Sequence, residues 1–458
     1  MTSIALTAKR EQSGVFVPRL GRRAVILSLA CIYVGVLRYA YIALIAPRFS
    51  YMRYTYRSPS ALTELASLVM LTSPALWLPA DCRRPSEMVL WFLYLLVIVP
   101  SILIPQYAIA LPANEILLLS LVLTVSFHSL VVVPKLPLLS LPRPRLSTGA
   151  FWTLFAAIGV ALYAVVLLAF GARFNVPSIS NIYVTRSAYK AQLDQAGALA
   201  GYAVFWLAEV LNPVLLAVSL TRRRYVLAAV AFVGQILLLA TTGFKTIAIA
   251  TVLLAALVVM LRRHGRSLGL WLLGGCNALI VISAGVDWVA RTIVFTSVLV
   301  RRAIVTPGLL TGMYYEYFSR HPPAMLASSF LRFVADNPYP LPPAQIIGAM
   351  YFEGPRTNAN ANLWADAFAN FRYPGMLVMT VALGAVLWIL DSLTARLPRR
   401  DAFLIVAVPS LALCNTSLQT VFISHGIALI LLLSYLMPSV NSQDELRSTP
   451  ARQTPVAG

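Results

Sequence analysis

The sequence predicts an all-α fold, a polytopic membrane bundle of about twelve spanning helices with one large polar loop. Three observations predict it. Of 458 residues, 59% are hydrophobic and 11% charged, whereas a soluble domain is roughly a quarter charged and under half apolar. Apolar runs of the length needed to cross a bilayer, about 20 residues, recur along nearly the whole chain. The cations, which bring the net charge to +20, gather at the ends of those runs. A membrane barrel would show short alternating segments instead of continuous runs, which excludes that architecture.

The runs fall at 24–47, 61–79, 87–105, 113–133, 150–170, 199–220, 224–241, 244–262, 268–287, 373–394, 402–419 and 421–438. Hardly any loop separates the last two. The first follows a basic segment and is too long for a signal-peptide core, so it reads as a retained helix. With the N-terminus inside, one set of connections carries Lys9, Arg10, Arg19, Arg22, Arg23, Arg83, Arg84, Lys135, Arg143, Arg145, Arg222, Arg223, Arg224, Arg262, Arg263, Arg266, Arg396, Arg399 and Arg400. The opposite loops are poorer in cations for their length, Arg48, Arg53 and Arg57 excepted, and this bias places both termini in the cytoplasm. It also excludes nucleic acid as the partner implied by the charge, because these cations mark span ends. Of the four cysteines, Cys31, Cys276 and Cys414 lie within runs and Cys82 on the inner side, which leaves no disulfide framework and no metal-spaced pair. No internal repeat is visible. The chain reads as one membrane domain, 1–458, whose tail at 441–458 is expected to be disordered.

Two outer loops stand out. The first, 171–198, reads "GARFNVPSISNIYVTRSAYKAQLDQAGA"; the second, 288–372, is the longest polar segment. A connection that long is functional or holds structure of its own. "GLLTGMYYEYFSRHP" and "PAMLASSFLRFVA" place apolar and aromatic residues at helical spacing between prolines, the pattern of short amphipathic helices at a membrane surface. Arg291, Arg301, Arg302, Arg320, Arg332, Arg356 and Arg372 lie in this loop. Singly, each suits a lipid phosphate. As a set on the face where orientation rules ask for no cations, they point to an anionic ligand, since arginine's planar fork binds phosphate bidentately. Arg38, Glu64, Glu115, His128, Glu209 and Lys245 fall within or near spans, where charge is costly and faces a partner or a cavity. For Arg38 and Glu209 an ion pair between helices competes with direct chemistry. Lys245 follows the turn "TTGF", where it could offer a point charge to a phosphate.

Several chemistries have no motif. There is no phosphate-binding loop of the G-x-x-x-x-G-K-[ST] type, no H-E-x-x-H and no D-x-D pair, so ATP-driven transport, zinc chemistry and metal-held sugar nucleotides find no support. A metal-independent reaction on a substrate with a good leaving group, such as a lipid pyrophosphate, is what remains.

The runs "YYEYFSRHPPAMLASSF", "NPYPLPPAQIIGAMYFEG" and "TNANANLWADAFANFRYPGML", with "NIYVTRSAY", "TTGFKT" and "VRRAIVTPG", resemble the large periplasmic loop and neighbouring segments of bacterial O-antigen polymerases of the Wzy type, the oligosaccharide repeat unit polymerases. The likeness covers the C-terminal two thirds of the chain, and its most specific part is the asparagine-rich stretch. It implies a metal-free, cofactor-free glycosyltransferase of the bacterial inner membrane. Such an enzyme moves a growing glycan from undecaprenyl pyrophosphate onto a new lipid-linked repeat unit at the periplasmic face, building O-antigen or exopolysaccharide. A chain-length regulator is the further partner it implies.

The resemblance assigns pyrophosphate binding to Arg186 and to Arg301 or Arg302. Related ligases place a histidine ahead of the helix that follows their large loop, as base for the acceptor hydroxyl; this chain has asparagines there. Asp366 is the first candidate for that base and His321 and Glu353 the next, while an Asp366 near a helix N-terminus also simply suits the helix dipole. Lys245, Arg291, Tyr183 and Arg356 are candidates for substrate contact. Asn358, Asn360, Asn362 and Asn370 offer donors and acceptors to a glycan, and the alternation at 358–362 would put them on one side of an extended segment. Helix capping is the competing role for such asparagines. A flippase of lipid-linked oligosaccharides and an O-antigen ligase are the rival functions. Polar residues massed on one face, without related halves, favour the polymerase over the flippase, and the absent histidine counts against the ligase.

Overall fold

The computed structural model describes residues 19–438 except 143, 145, 179, 180, 330, 332, 335, 337 and 353–356. Glu353, Arg356 and the tail at 441–458 lie outside the described residues. Among the described residues all regular structure is helical, and ten helices are long and apolar enough to cross a membrane. In order the elements are α1 (Gly21–Met52), α2 (Ala61–Leu76), α3 (Pro85–Ala108), α4 (Ala113–Lys135), α5 (Thr148–Phe170), α6 (Ile182–Ala196), α7 (Ala198–Thr221), α8 (Tyr225–Thr242), α9 (Lys245–Arg263) and α10 (Leu268–Ala290). There follow α11 (Thr306–Arg320) with its π-helical lead-in Thr296–Val305, α12 (Pro343–Tyr351), α13 (Leu363–Thr394), α14 (Arg399–Ala412), α15 (Leu418–Ile423) and α16 (Ile427–Leu436).

The count of ten differs from the twelve apolar runs at two places. The run at 61–79 forms the short α2, and α14 stops after 14 residues. The chain then breaks, forms α15, and turns at Gly426, whose left-handed φ of 82° favours glycine, into α16.

Burial separates the roles of the helices. α3 is buried on nearly every side and is the axis of the bundle. α5 buries only the stripe Phe151, Phe155, Leu162, Val166 and Phe170, and its other faces carry exposed residues such as Val160 and Leu168, as an outer helix in lipid would.

One end of the bundle is knit by cations. Arg22 pairs with Asp81 (3.0 Å), Arg84 donates to the Leu136 carbonyl (2.8 Å), Arg222 faces Asp401 (3.7 Å), and Arg399 reaches the carbonyls of Cys82 and Gly265. Such groups complement helix ends and satisfy terminal carbonyls. The described residues of the polar segments at 171–198 and 291–352 lie at the opposite end.

The segment 288–372 is largely built into the bundle. Asp287 at the end of α10 accepts hydrogen bonds from the Thr292 hydroxyl (2.7 Å) and the backbone amides of Phe295 (3.0 Å) and Thr296 (2.6 Å), which starts the next helix. α11 then packs against α3 through Gly308 and Gly312. A Cβ at Gly308 would stand 2.1 Å from the Pro100 carbonyl oxygen, and one at Gly312 would stand 2.7 Å from Ile109. Small residues four apart allow such close backbone approach between membrane helices. Thr311, between them, bonds Ser101 of α3 (2.9 Å).

α13 is a hairpin. Phe371 and Arg372 leave helical geometry (Arg372 φ 58°, ψ −149°), and residues 363–370 fold back along the limb that starts at 373. The Trp364 indole N–H donates to the Thr380 hydroxyl (2.9 Å), although in a straight helix these residues would stand roughly 24 Å apart. Gly375 makes the reversal fit, since a Cβ there would lie 2.5 Å from the Ala367 carbonyl oxygen.

Candidate functional site

The hairpin determines where the asparagine-rich stretch lies. Asn362 Nδ2 donates to the Thr311 hydroxyl (2.8 Å), which in turn meets Ser101. Ser101 stands seven residues, roughly 10 Å by helical rise, inside the end of α3. The extended segment 357–362 therefore reaches into the bundle as a re-entrant loop, an arrangement tolerated at membrane depth only where protein or a watery cavity receives the backbone. The expected alternation holds only in part: Asn358 and Asn360 are exposed and Ala359 and Ala361 buried, but Asn362 is buried with the alanines and does not share the face of the other two. Asn362 is fully buried and caps the short limb, its Oδ1 accepting from the amides of Trp364 (3.1 Å) and Ala365 (3.2 Å). Asn370, also buried, accepts from the Leu326 amide (2.8 Å) and donates to the Asp366 carbonyl (2.8 Å).

Asp366 is one turn below Asn370. Its Oδ2 accepts from Gln419 Nε2 (3.1 Å) and from Asn370 Nδ2 (3.3 Å). Gln419 belongs to α15, which Ser417 caps at the Thr420 amide (3.4 Å). At the other end of that element His425 Nδ1 lies 2.8 Å from Glu209 Oε2 of α7, with the two side chains 15% and 14% exposed. Trp206 Nε1 donates to the Ile423 carbonyl (2.9 Å), and Gly426 sits so tightly on α7 that a Cβ would come within 2.4 Å of Val210. This short helix and the turn after it thus hold two carboxylates at fixed positions, Asp366 through Gln419 and Glu209 through His425.

From His425 a row of rings leads to a cation. His425 packs on Phe205 (4.8 Å between centroids), Phe205 stacks on Phe244 (5.8 Å, 17°), and the Arg186 guanidinium lies over Phe244 (5.3 Å). Phe244 immediately precedes Lys245. The turn holding both is pressed on α6, since a Cβ at Gly243 would stand 2.7 Å from the Ile182 carbonyl oxygen and 3.2 Å from the Arg186 amide nitrogen. Arg186 and Lys245 are therefore neighbours, though 59 positions apart in sequence. Tyr183 belongs to the first turn of α6, and its side chain is outside the described set.

A second basic group forms at the end of α1. Arg301 stacks on Phe49 (4.3 Å) and Tyr54 (5.5 Å) and donates to the Ser297 hydroxyl (2.8 Å); Tyr54 meets the Thr306 hydroxyl (2.8 Å). Arg302 beside it is exposed. Further along α11, Tyr351 donates to Glu316 Oε2 (2.8 Å), with Arg53 and Arg320 near enough to act on its hydroxyl. Burial first, and then the Glu316 hydrogen bond and charge, push the Tyr351 phenol well above its usual range.

The structure does not bring Arg301 and Arg302 to Asp366. Asp366 influences Tyr314, which is a dozen residues beyond Arg302 on the same helical rod, roughly 15–20 Å by helical rise. His321 is exposed at the end of α11, stacked on Tyr317 (4.0 Å, 5°), its carbonyl accepting from Arg372. Arg291 is exposed at the end of α10 with φ 51°. The polar residues that the sequence did not point to are Gln419 and His425; Glu209 was singled out as a charge within a span, and it meets His425 of another element. That partner is 216 positions away, and nothing local to either residue pairs them.

The fold and these embedded polar contacts define a multi-pass helical membrane protein with a charged site at one end of its bundle. Comparison with protein-family models, with curated proteins and with solved structures finds no match to the chain.

Proposed function

We propose that the protein is a glycosyltransferase that polymerises oligosaccharide repeat units carried on undecaprenyl pyrophosphate, at the periplasmic face of a bacterial inner membrane. The observation that carries the reading is α15 with the turn after it, which holds Asp366 through Gln419 and leads from His425 through Phe205 and Phe244 to Arg186, with Asn358 and Asn360 exposed ahead of the limb that carries Asp366. Asp366 takes the proton of the acceptor hydroxyl. The freed oxygen attacks the anomeric carbon of the donor glycan, the bond from that carbon to the pyrophosphate breaks, and its electron pair leaves with the phosphate oxygen. Arg186 and Lys245 meet the charge that develops there, the kind of electrostatic stabilisation that is often the largest catalytic term. Asn358 and Asn360 hold sugar hydroxyls.

Two substrates, donor and acceptor, each bring a pyrophosphate, and two separate basic groups are present. Arg301 and Arg302, with Arg53 at the adjoining end of α1, form the second, suited to the acceptor lipid. The embedded Glu209–His425 pair also favours a second reading, a proton-coupled flippase of the same lipid, because an ionisable pair inside a bundle commonly marks a transport path.

The test uses purified protein in liposomes with a synthetic pyrophosphate-linked repeat unit and chelator. A ladder of longer products that disappears with Asp366→Asn and Arg186→Ala supports the polymerase. Transbilayer movement of labelled lipid without a ladder replaces it with the flippase.

A further inference from the structure

We propose, on the basis of the polymerase reading, that His425 held by Glu209 is a second acid–base residue, which hydrogen-bonds the departing diphosphate and gives it a proton. Its position carries the assignment. His425 Nδ1 is committed to Glu209 at 2.8 Å, so Nε2 points away from the carboxylate, across a ring that packs on Phe205. Through Phe205 and Phe244 the ring is three contacts from Arg186, the cation assigned to the diphosphate. A carboxylate on one ring nitrogen fixes the tautomer and orientation of the other, which prepares an imidazole for proton transfer.

A purely structural link between α7 and the turn at 424–426 needs no ionisable pair. The neutral bond from Trp206 to the Ile423 carbonyl already makes that link, whereas carboxylate and imidazole are costly in an apolar bundle. α15 also sets the two proton-handling groups apart, Asp366 at Gln419 near its start and His425 in the turn just past its end.

The step balances. His425 enters the step as an imidazolium, with Nδ1–H on Glu209 and a proton from water on Nε2. The bond between the anomeric carbon and the phosphate oxygen breaks with its electron pair on that oxygen, the terminal phosphate so released, with a second ionisation near pH 6, takes the Nε2 proton, and the ring is left neutral. Asp366 gains the acceptor's proton, and exchange with water resets both groups.

The experiment compares wild type, His425→Gln, Glu209→Gln and Glu209→Asp in the chelator-containing ladder assay, with donor affinity measured separately. Expected are a loss of about 100-fold or more in kcat for His425→Gln with donor Kd changed less than about threefold, an intermediate loss for Glu209→Gln, partial recovery for Glu209→Asp, and disappearance of the alkaline limb of the pH profile. Added imidazole should restore turnover to His425→Ala. If His425→Gln does not fold, Glu209→Gln carries the same test, since it preserves size and a hydrogen bond. Wild-type ladder formation with His425→Gln inside about threefold of it overturns this inference and leaves the polymerase standing. Equal losses in affinity and turnover overturn it too, by making the pair part of the binding wall. A wild type that forms no ladder removes both.

Discussion

Trp364 and Thr380, 16 positions apart on what is nominally one helix, share a hydrogen bond of 2.9 Å. That bond ties the short limb carrying Asp366 to the long limb that spans the bundle. Thr380→Val leaves the buried indole N–H without an acceptor and should cost about 1 kcal/mol. Trp364→Phe combined with Thr380→Val should cost less than the two single changes added together, which a double-mutant cycle of detergent unfolding would read directly.

Close approach of α11 to α3 rests on glycine. Gly308→Ala forces a Cβ onto the Pro100 carbonyl oxygen, 2.1 Å away, with backbone on both sides and nowhere to yield. A destabilisation of about 1–3 kcal/mol is expected, visible as lower folded yield on size exclusion. Gly35→Ala in α1 meets nothing within 4 Å and should be indistinguishable from wild type; equal behaviour of the two variants would refute the close packing.

Removing the charge of Asp366 tests the base. Asp366→Asn retains the side chain's size and should lower turnover by about 100-fold or more while leaving the elution profile unchanged. Gln419→Ala, which frees the carboxylate from α15, should lower turnover less, and an unaffected ladder in Asp366→Asn would discard this assignment.

Arg301 is held by rings as much as by hydrogen bonds. Arg301→Lys keeps the charge but loses the flat stacking on Phe49 and the fork that grips Ser297. It should raise KM for the lipid pyrophosphate by about tenfold, corresponding to 1.4 kcal/mol. Arg302→Ala should raise KM as well, and neither should change the pH profile.

Tyr351 supplies a pH test outside the spans. Its folded-state proton is held more tightly than in the unfolded chain, through burial and then Glu316. The sign follows: its contribution is complete below the unfolded phenol's pKa, about 10, and is lost as pH rises beyond it towards the raised folded value. Tyr351→Phe should therefore show less loss of stability than wild type between pH 8 and 10.5 in thermal unfolding. A larger loss would contradict the burial of the phenol.

Sequence showed the bundle because each span must be apolar for its full length, and it showed the cationic end because arginines such as Arg84 and Arg399 have to sit where helices stop. It also showed the alternation at Asn358 and Asn360. The hairpin was hidden because its short limb carries Asp366, Asn370 and Arg372, so the apolar run begins only at 373 and residues 363–370 read as the end of the polar loop; no local signal folds them back along the span. Glu209 was visible as a charge inside a span, but its pairing with His425 depends on how α7 meets the turn at Gly426, a relation made by tertiary packing. The separation of Arg301 from Asp366 has the same origin, since loop composition alone carries no distance.

The re-entrant hairpin has a consequence for membrane insertion. Residues 363–370 are too few to enter a bilayer as a span, and their exposed neighbours Asn358 and Asn360 oppose entry. They are held within the bundle by the long limb, through Trp364 and Thr380, and by α3 and α11, which receive Asn362. The seat of Asp366 is thus made by three elements at once, α3, α11 and the long limb of α13, and by none of them alone.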